Sequence, residues 1–132
     1  MTAAPPDTMR ALCVRQPWAA LIAEGLKTIE LRSWFTHYRG PIAIVAARDL
    51  DRRGAEVHGR QKEPRKHLVA IANLADVRRA LPTDAKFAMV GEVREGLYAW
   101  VLDEVKALVP AVPCTGAQGL FSISTTLVAG YR

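Results

Sequence analysis

The sequence is poor in the residues that build disulfide frameworks and metal sites, and it lacks the long apolar runs that build membrane spans. Its 132 residues include only two cysteines, Cys13 and Cys114, and three scattered histidines. Neither cysteine belongs to a Cys-x-x-Cys pair, the spacing typical of zinc ligands, so no zinc site is expected. Both thiols are expected to be reduced. No apolar run approaches the roughly 18 residues of a membrane-spanning helix. We therefore expect no metal, no cofactor and no association with a membrane.

Signatures of several common enzymes and of exported proteins are also missing. The chain has no Gly-x-Ser-x-Gly elbow, no Walker loop and no dinucleotide-binding fingerprint. Its beginning, MTAAPPDT, lacks the basic and then apolar order of a signal peptide, so a cytoplasmic location is expected. The same residues cannot bury enough apolar surface to offset chain entropy. We predict a disordered tail over residues 1–8 and a single domain over residues 9–132.

The charge balance favours a polyanionic partner. Lysine and arginine number 18 against 13 aspartates and glutamates, and the formal net charge is +5. Such a balance favours nucleic acid as a partner without establishing one. The segment 48–67 alone holds seven basic and four acidic residues. It could contact phosphates, but mixed charge is more typical of a solvated helix or loop, and we favour that interpretation.

Short apolar segments separated by turns predict a mainly β fold with a few helices. MRALCVRQ has the length of a strand, and PWAALIAEG predicts a core helix with Pro17 in its first turn and a left-handed Gly25 after its end. Ile29 and Leu31 then alternate with polar residues, as in a strand. Further strands are predicted at IAIVAA, HLVAIANLADV, LYAWVLDEVKAL and LFSISTTLV, with a turn at YRGP. Because strands and helices do not alternate regularly, we favour a small α+β, mainly β barrel over a parallel sheet.

A row of polar residues follows the predicted helix at a distinctive spacing. Gly25, Lys27, Glu30 and Arg32 stand as Gly-x-Lys-x-x-Glu-x-Arg. They are preceded by RQPWAALI and followed in order by RSW, YRGP, YAWVL and GLFSI. With these segments in this order, the chain resembles ASCH domains, which are relatives of the PUA fold, over about residues 9–124.

The resemblance implies both a fold and a class of ligand. The implied fold is α+β and mainly β: a PUA-like pseudo-β-barrel with an N-terminal core helix, additional short helices and a cleft lined by the motif. The family is proposed to bind RNA or other nucleic acid. Some small bacterial members resemble amidohydrolases that deacetylate acetylated cytidine, and others are described as ribonucleases. The expected partner is therefore RNA, another nucleic acid, a nucleotide or a modified nucleoside.

The motif residues suit either binding or catalysis. Gly25 is expected to shape the site through a positive φ. Lys27 could bind an anion as an ammonium or act as a nucleophile or base when neutral, and we favour the anion. Glu30 and Arg32, two apart on one strand face, could form an ion pair that holds the shape of the cleft. If the chain is an enzyme, Lys27 and Glu30 are its candidate catalytic residues.

Aromatic and polar residues near the motif complete the predicted ligand-binding set. An unpaired base could stack on Trp34, although core packing explains this residue equally well. Trp18 and Trp100 lie within apolar segments and are interpreted as core residues. Besides the motif residues and Trp34, the set contains Arg15, Gln16, Tyr38 and Arg39.

The chain departs from the patterns of the family it resembles in two places. In the amidohydrolase-like members a threonine stands where this chain has Glu30, and the sequence does not assign their distant catalytic glutamate to Glu92, Glu95 or any other acid. The segment PCTGAQGLF also resembles a family segment that often carries basic residues, where this chain has Thr115 and Ala117. The deacetylase mechanism is therefore in doubt, and one phosphate contact is missing.

Three functions remain open. The first is a binding module for RNA, a nucleotide or a modified nucleoside. The second is a hydrolase that uses the same cleft, either an amidohydrolase or a metal-independent ribonuclease in which Tyr38 or His37 assists Lys27. The third is a protein-interaction domain without nucleic-acid activity, which would be favoured if a pair between Glu30 and Arg32 closed the cleft.

Overall fold

The computed structural model describes residues 7–130 and is organised around one mixed sheet of six strands. In chain order these are β1 (Thr8–Gln16), β2 (Ile29–Arg32), β3 (Gly40–Leu50), β4 (His67–Arg79), β5 (Tyr98–Pro113) and β6 (Leu120–Ser124). Their spatial order is β2-β5-β4-β3-β1-β6; β1 and β3 are parallel, and every other neighbouring pair is antiparallel. In the described part of the chain the end strands do not pair with each other, so the sheet stays open and the barrel is approximate. The predicted α+β, mainly β class is confirmed.

Short helices pack around this sheet. They are α1 (Trp18–Ala23), α2 (Arg52–His58) and α3 (Ala85–Ala88), with 3-10 turns at Pro82–Asp84 and Thr125–Val128. Helix α1 is the predicted core helix: its residues 19–22 are buried, and it packs against β1, β3, β4 and β5. Helix α2 lies inside the charged segment 48–67, where the Asp51 side chain caps it by accepting from the Gly54 amide at 3.0 Å.

The main hydrophobic core lies between α1 and the central strands. Leu12, Ile22, Ile44, Leu74 and Trp100 all belong to it and are at most 2 % exposed. Burying a side chain of this size contributes about 1.5–3 kcal/mol relative to leaving it in water. A smaller cluster packs β1, β3 and β4 against β6 and the C-terminal 3-10 turn. The end of α1 is held in the main core through Ile22, while the start of β2 packs in a third cluster through Ile29.

Two local details differ from the sequence predictions. Thr8, assigned to the disordered tail, pairs with Ser124 as the first residue of β1, and residues 1–6 of that tail lie outside the described residues. YRGP does not form a turn, because Gly40 already begins β3. The Tyr38 hydroxyl donates to the Pro41 carbonyl, and Pro41 itself has no backbone N–H with which to close a turn.

Candidate functional site

The polar motif enters the structure at the end of α1. The Gly25 amide donates to the Ile22 carbonyl at 2.9 Å and the Leu26 amide to the Leu21 carbonyl at 3.0 Å, the two bonds of a Schellman motif. Gly25 has a φ of +77°, a left-handed conformation that glycine adopts without steric penalty. This compact turn leads directly to Lys27, which is only 2 % exposed.

Lys27 is a buried lysine with three close neighbours. Its Nζ donates to the Ala88 carbonyl at 2.6 Å and lies 3.6 Å from Glu30 Oε1. The same nitrogen lies 5.0 Å from the centre of the Trp18 ring, within cation–π range. Burial lowers the pKa of Lys27 from its ordinary value of 10.5; the charge of Glu30 opposes this shift and that of Arg32 adds to it.

Glu30 lies between two cations. Glu30 is 8 % exposed, and its second carboxylate oxygen, Oε2, lies 3.3 Å from Arg32 Nε. That nitrogen is buried and makes no hydrogen bond to any described residue, because the short contact with Glu30 is poorly aligned. Arg32 Nη2 donates to the Cys13 carbonyl of β1 and so ties β2 to the other side of the site. We call Lys27, Glu30 and Arg32 the charge row; its signs alternate along one line.

Two adjoining cavities meet at this row, and together we call them the cleft. The smaller cavity, of about 540 Å³, is lined by all three residues of the charge row. The larger cavity, of about 810 Å³, is lined by only one of them, Arg32. Both cavities are lined by Cys13, Arg32 and Trp34. The pair between Glu30 and Arg32 therefore forms without closing the cleft.

Two tryptophans form walls of the cleft. Trp34 packs edge-to-face on the buried Trp100, with ring centres 4.7 Å apart, and also lines both cavities. Core packing and an accessible ring are thus both true of Trp34. Trp18 was interpreted as a core residue; it packs on the core but is half-buried, lines the smaller cavity and donates from Nε1 to Asp51 Oδ2 at 2.9 Å. For Trp100, which is 0 % exposed, the core interpretation is correct.

Gln16 does not reach the cleft, whereas its neighbour Arg15 does. Gln16 is 0 % exposed; its Nε2 donates to the Pro64 carbonyl at 2.7 Å and its Oε1 accepts from the Ala20 amide at 2.9 Å. Both ends of this side chain are thus engaged in hydrogen bonds to the backbone within the fold. Arg15 is exposed and lines the smaller cavity.

Tyr38 and Arg39 also lie away from both cavities. The Tyr38 hydroxyl is bonded to the Pro41 carbonyl, while Arg39 Nη1 donates to two nearby carbonyls and its Nη2 lies 3.6 Å from Asp76. His37 packs edge-to-face on the exposed Phe35. Because these groups line neither cavity, the geometry gives no support to a ribonuclease that uses Tyr38 or His37.

Several lining residues were missed from the sequence. The smaller cavity includes Asp51, Glu92 and Arg94, while Glu95 does not line it. Asp51 had a usable signal, since it stands at the N-cap of a short helix. Glu92 and Arg94 lie in an irregular segment between α3 and β5, where no periodic pattern indicates direction. The larger cavity also includes Arg48, Asp49, Lys66 and residues 115–119.

The described residues contain neither a cluster of metal ligands nor a helix that could span a membrane. Between residues 7 and 130, no three His, Cys, Asp or Glu side chains cluster in a way that could hold a metal ion. Within the same range, no helix has the length and apolar character needed to span a bilayer. Cys13 and Cys114 are both free thiols.

Comparison with known proteins places this fold and motif in one family. The crystal structure of ASCH from Zymomonas mobilis superposes with a TM-score of 0.65 at 15 % identity, covering 90 % of each chain. Activating signal cointegrator 1 of Homo sapiens and that of Mus musculus are each 23 % identical over 135 residues, which cover 92 % of this chain. The chain spans about a quarter of the length of these curated relatives, since the match covers 23 % of each. The ASCH domain family model matches residues 12–111, and the chain therefore belongs to the ASCH domain family.

Proposed function

We propose that this ASCH domain binds RNA, a nucleotide or a modified nucleoside in the cleft. The observation that carries the proposal is the charge row beneath two tryptophan walls. Nucleic-acid bases offer flat faces and edges with hydrogen-bond donors and acceptors, so they suit a site with aromatic walls and alternating charge. The family's association with RNA binding and the net charge of +5 agree with this ligand class.

The cleft residues have different expected tasks. Arg15 is exposed beside the smaller cavity, where it can meet a base carbonyl or a phosphate. Trp34 presents a ring on which a base can stack, a contact worth about 1–3 kcal/mol. Glu30 is held between Lys27 and Arg32, so its expected task is to orient these cations. Arg32 Nη1 donates to no residue between 7 and 130 and is available to a ligand.

Two arginines of one strand provide a matched test of this proposal. Arg10 and Arg15 are both exposed on β1, but only Arg15 lines the cleft. We expect Arg15→Gln to weaken the binding of a short, labelled single-stranded RNA roughly fivefold, with a salt slope smaller by about 0.7, while Arg10→Gln changes neither. Fluorescence anisotropy across a salt series measures both quantities. Equal losses in the two variants would overturn the proposed role of the cleft, and no binding by the wild type would reject RNA as its ligand.

Hydrolysis in the same cleft is the second candidate function. Its supporting observation is that burial lowers the pKa of Lys27, which favours the neutral amine that a base or nucleophile requires. Glu30 lies 3.6 Å away and Glu92 lines the same cavity. In deacetylation, water adds to the acetyl carbonyl, the bond from carbon to the base amino nitrogen breaks, and that nitrogen takes a proton as acetate leaves.

Incubation with candidate substrates separates hydrolysis from binding. Wild type and Lys27→Met would be incubated with acetylated cytidine and with short single-stranded RNA, and the products identified by mass spectrometry. Products formed by the wild type and lost in a folded Lys27→Met would identify an enzyme. Intact substrates with both proteins would leave binding alone. Circular dichroism establishes that the variant is folded.

A further inference from the structure

The two cavities of the cleft differ in charge. The smaller cavity is nearly balanced, because its four basic residues face three acidic ones. The larger cavity is positive: Arg32, Arg48 and Lys66 line it with a single acid, Asp49. Asp49 lies 3.6 Å from Arg48 Nε, but both side chains are more than three-quarters exposed, so water screens this pair. A positive cavity beside a balanced one suits a ligand that has one charged end and one neutral end.

The loop of residues 115–118 also lines the larger cavity, and its backbone amides are unused donors within the described residues. These residues connect β5 to β6, line the cavity and donate no backbone hydrogen bond to any residue between 7 and 130. The loop is pressed on β1: a Cβ added at Gly116 would lie 2.3 Å from Cys13 Sγ, so a larger residue would displace the loop. Successive free amides in a fixed loop bind anions without any basic side chain.

Lys66 is anchored through its backbone while its side chain is free. Its amide donates to the Ala46 carbonyl at 2.8 Å and its carbonyl accepts from the Cys114 amide at 3.0 Å. Lys66 has a φ of +56°, a left-handed conformation that is unfavourable for a lysine and that persists where surrounding contacts impose it. The exposed ammonium makes no hydrogen bond or ion pair with the described residues. Its position at the larger cavity is therefore fixed at the backbone, close to the loop 115–118.

From the charge difference, the free amides and the anchored lysine, we propose that the larger cavity is a phosphate subsite formed by Arg32, Arg48, Lys66 and residues 115–118. This inference rests on the proposed function in one respect, since the base of the same ligand would occupy the smaller cavity. The ligand class is then a phosphorylated nucleotide or an RNA strand, with a free nucleoside bound more weakly. The basic side chains come from β2, from β3 and from the segment before β4, so the subsite does not require basic residues at Thr115 and Ala117.

Matched variants test the subsite with short single-stranded RNA. Lys66→Gln is compared with Lys62→Gln, and Arg48→Gln with Arg52→Gln; each control is an exposed residue of the same charged segment that lines neither cavity of the cleft. We expect each cavity variant to weaken binding roughly fivefold and to reduce the salt slope by about 0.7, the value for one phosphate contact on a single strand. Equal effects of all four variants would indicate non-specific electrostatic attraction and would contradict the proposed subsite.

Titration with cytidine 5′-monophosphate and inorganic phosphate supplies a readout that does not depend on RNA. We expect both ligands to shift the NMR amide signals of residues 115–118, with Lys66→Gln needing a roughly fivefold higher ligand concentration than the wild type, whereas cytidine leaves these signals in place. Shifts with inorganic phosphate, but no binding of RNA, cytidine 5′-monophosphate or cytidine, would support the subsite and reject the proposed function. RNA binding that Lys66→Gln does not weaken, without phosphate shifts at 115–118, would reject the subsite and leave the proposed function standing.

Discussion

The charge row predicts a large effect of Glu30→Gln, which replaces the carboxylate between two cations with a neutral amide of similar shape. Glu30 is 8 % exposed, and its oxygens lie 3.6 Å from Lys27 Nζ and 3.3 Å from Arg32 Nε. Removing one partner of a buried ion pair costs about 3–5 kcal/mol, because the remaining charge is uncompensated. The Arg32 side chain is 25 % exposed, so water screens its share. We therefore expect a loss near the lower limit, about 3 kcal/mol in the free energy of unfolding.

Urea denaturation at pH 7, followed by tryptophan fluorescence, measures this loss. A double-mutant cycle with Lys27→Met isolates the contact, because the double variant has neither the buried lysine nor its counter-charge. We expect its destabilisation to be smaller than the sum of the two single losses by about 1–3 kcal/mol. A loss below about 0.5 kcal/mol for Glu30→Gln is typical of a surface substitution and would refute the reasoning. Strict additivity in the cycle would refute it equally.

The same variant should change how stability depends on pH. The folded pKa of Lys27 lies below its ordinary value of 10.5, so between these values the unfolded state binds more protons and the free energy of unfolding rises with pH. Because Glu30 opposes the lowering, Glu30→Gln should lower the folded pKa further and start this rise at lower pH. Lysine ¹³Cε shifts follow the titration directly, and Lys27→Met removes the signal. An unchanged titration in Glu30→Gln would contradict the coupling.

Two further predictions concern the walls and the support of the site. A Cβ at position 54 would lie 2.6 Å from a ring carbon of Trp18, so Gly54→Ala should cost about 1–3 kcal/mol in urea denaturation and shift tryptophan emission; an unchanged emission would contradict this contact. Hydrogen bonding to Arg78 lowers the pKa of the buried Asp84 below 3.8. The ionised Asp84 therefore stabilises the fold above that pH, and this contribution is lost as pH falls through the folded pKa. Acid titration of stability should therefore be flatter below pH 3.8 in Asp84→Asn than in the wild type, and identical acid limbs would contradict the assignment.

The apolar alternation of the sequence predicted the sheet well but misjudged what its polar face would meet. Ile29 is buried in β2 as its pattern indicates, with an exposure of 4 %. Glu30 points to the opposite face, yet it is almost as buried, because that face meets Lys27 and Arg32. A period of two identifies the residues that share a face. It does not say whether a polar face lies against water or against other charges.

The period of two also separates Gln16 from its neighbour Arg15. The two residues are adjacent on β1 and point to opposite faces: Arg15 is exposed, whereas Gln16 is 0 % exposed. Proximity to the motif in sequence suggested that both were ligand contacts. Trp18 illustrates a different difficulty: an apolar helix predicted burial for the whole ring, but Asp51 binds its indole nitrogen at the cleft. That contact joins residues 33 positions apart, and no local pattern encodes it.

The motif residues and the exposed residues around the cleft have different expected roles in selecting a ligand. The motif forms the floor of the cleft, where Lys27 and Glu30 are buried and largely occupied with each other. The exposed cations at the rim, Arg48, Lys66 and Arg94, come from strand ends and irregular segments outside the motif. A ligand's phosphates would meet these rim residues first, since exposed charges govern long-range attraction. Family members that share the motif can therefore differ in ligand through their loops, and substitutions at the rim should change ligand preference while leaving the fold intact.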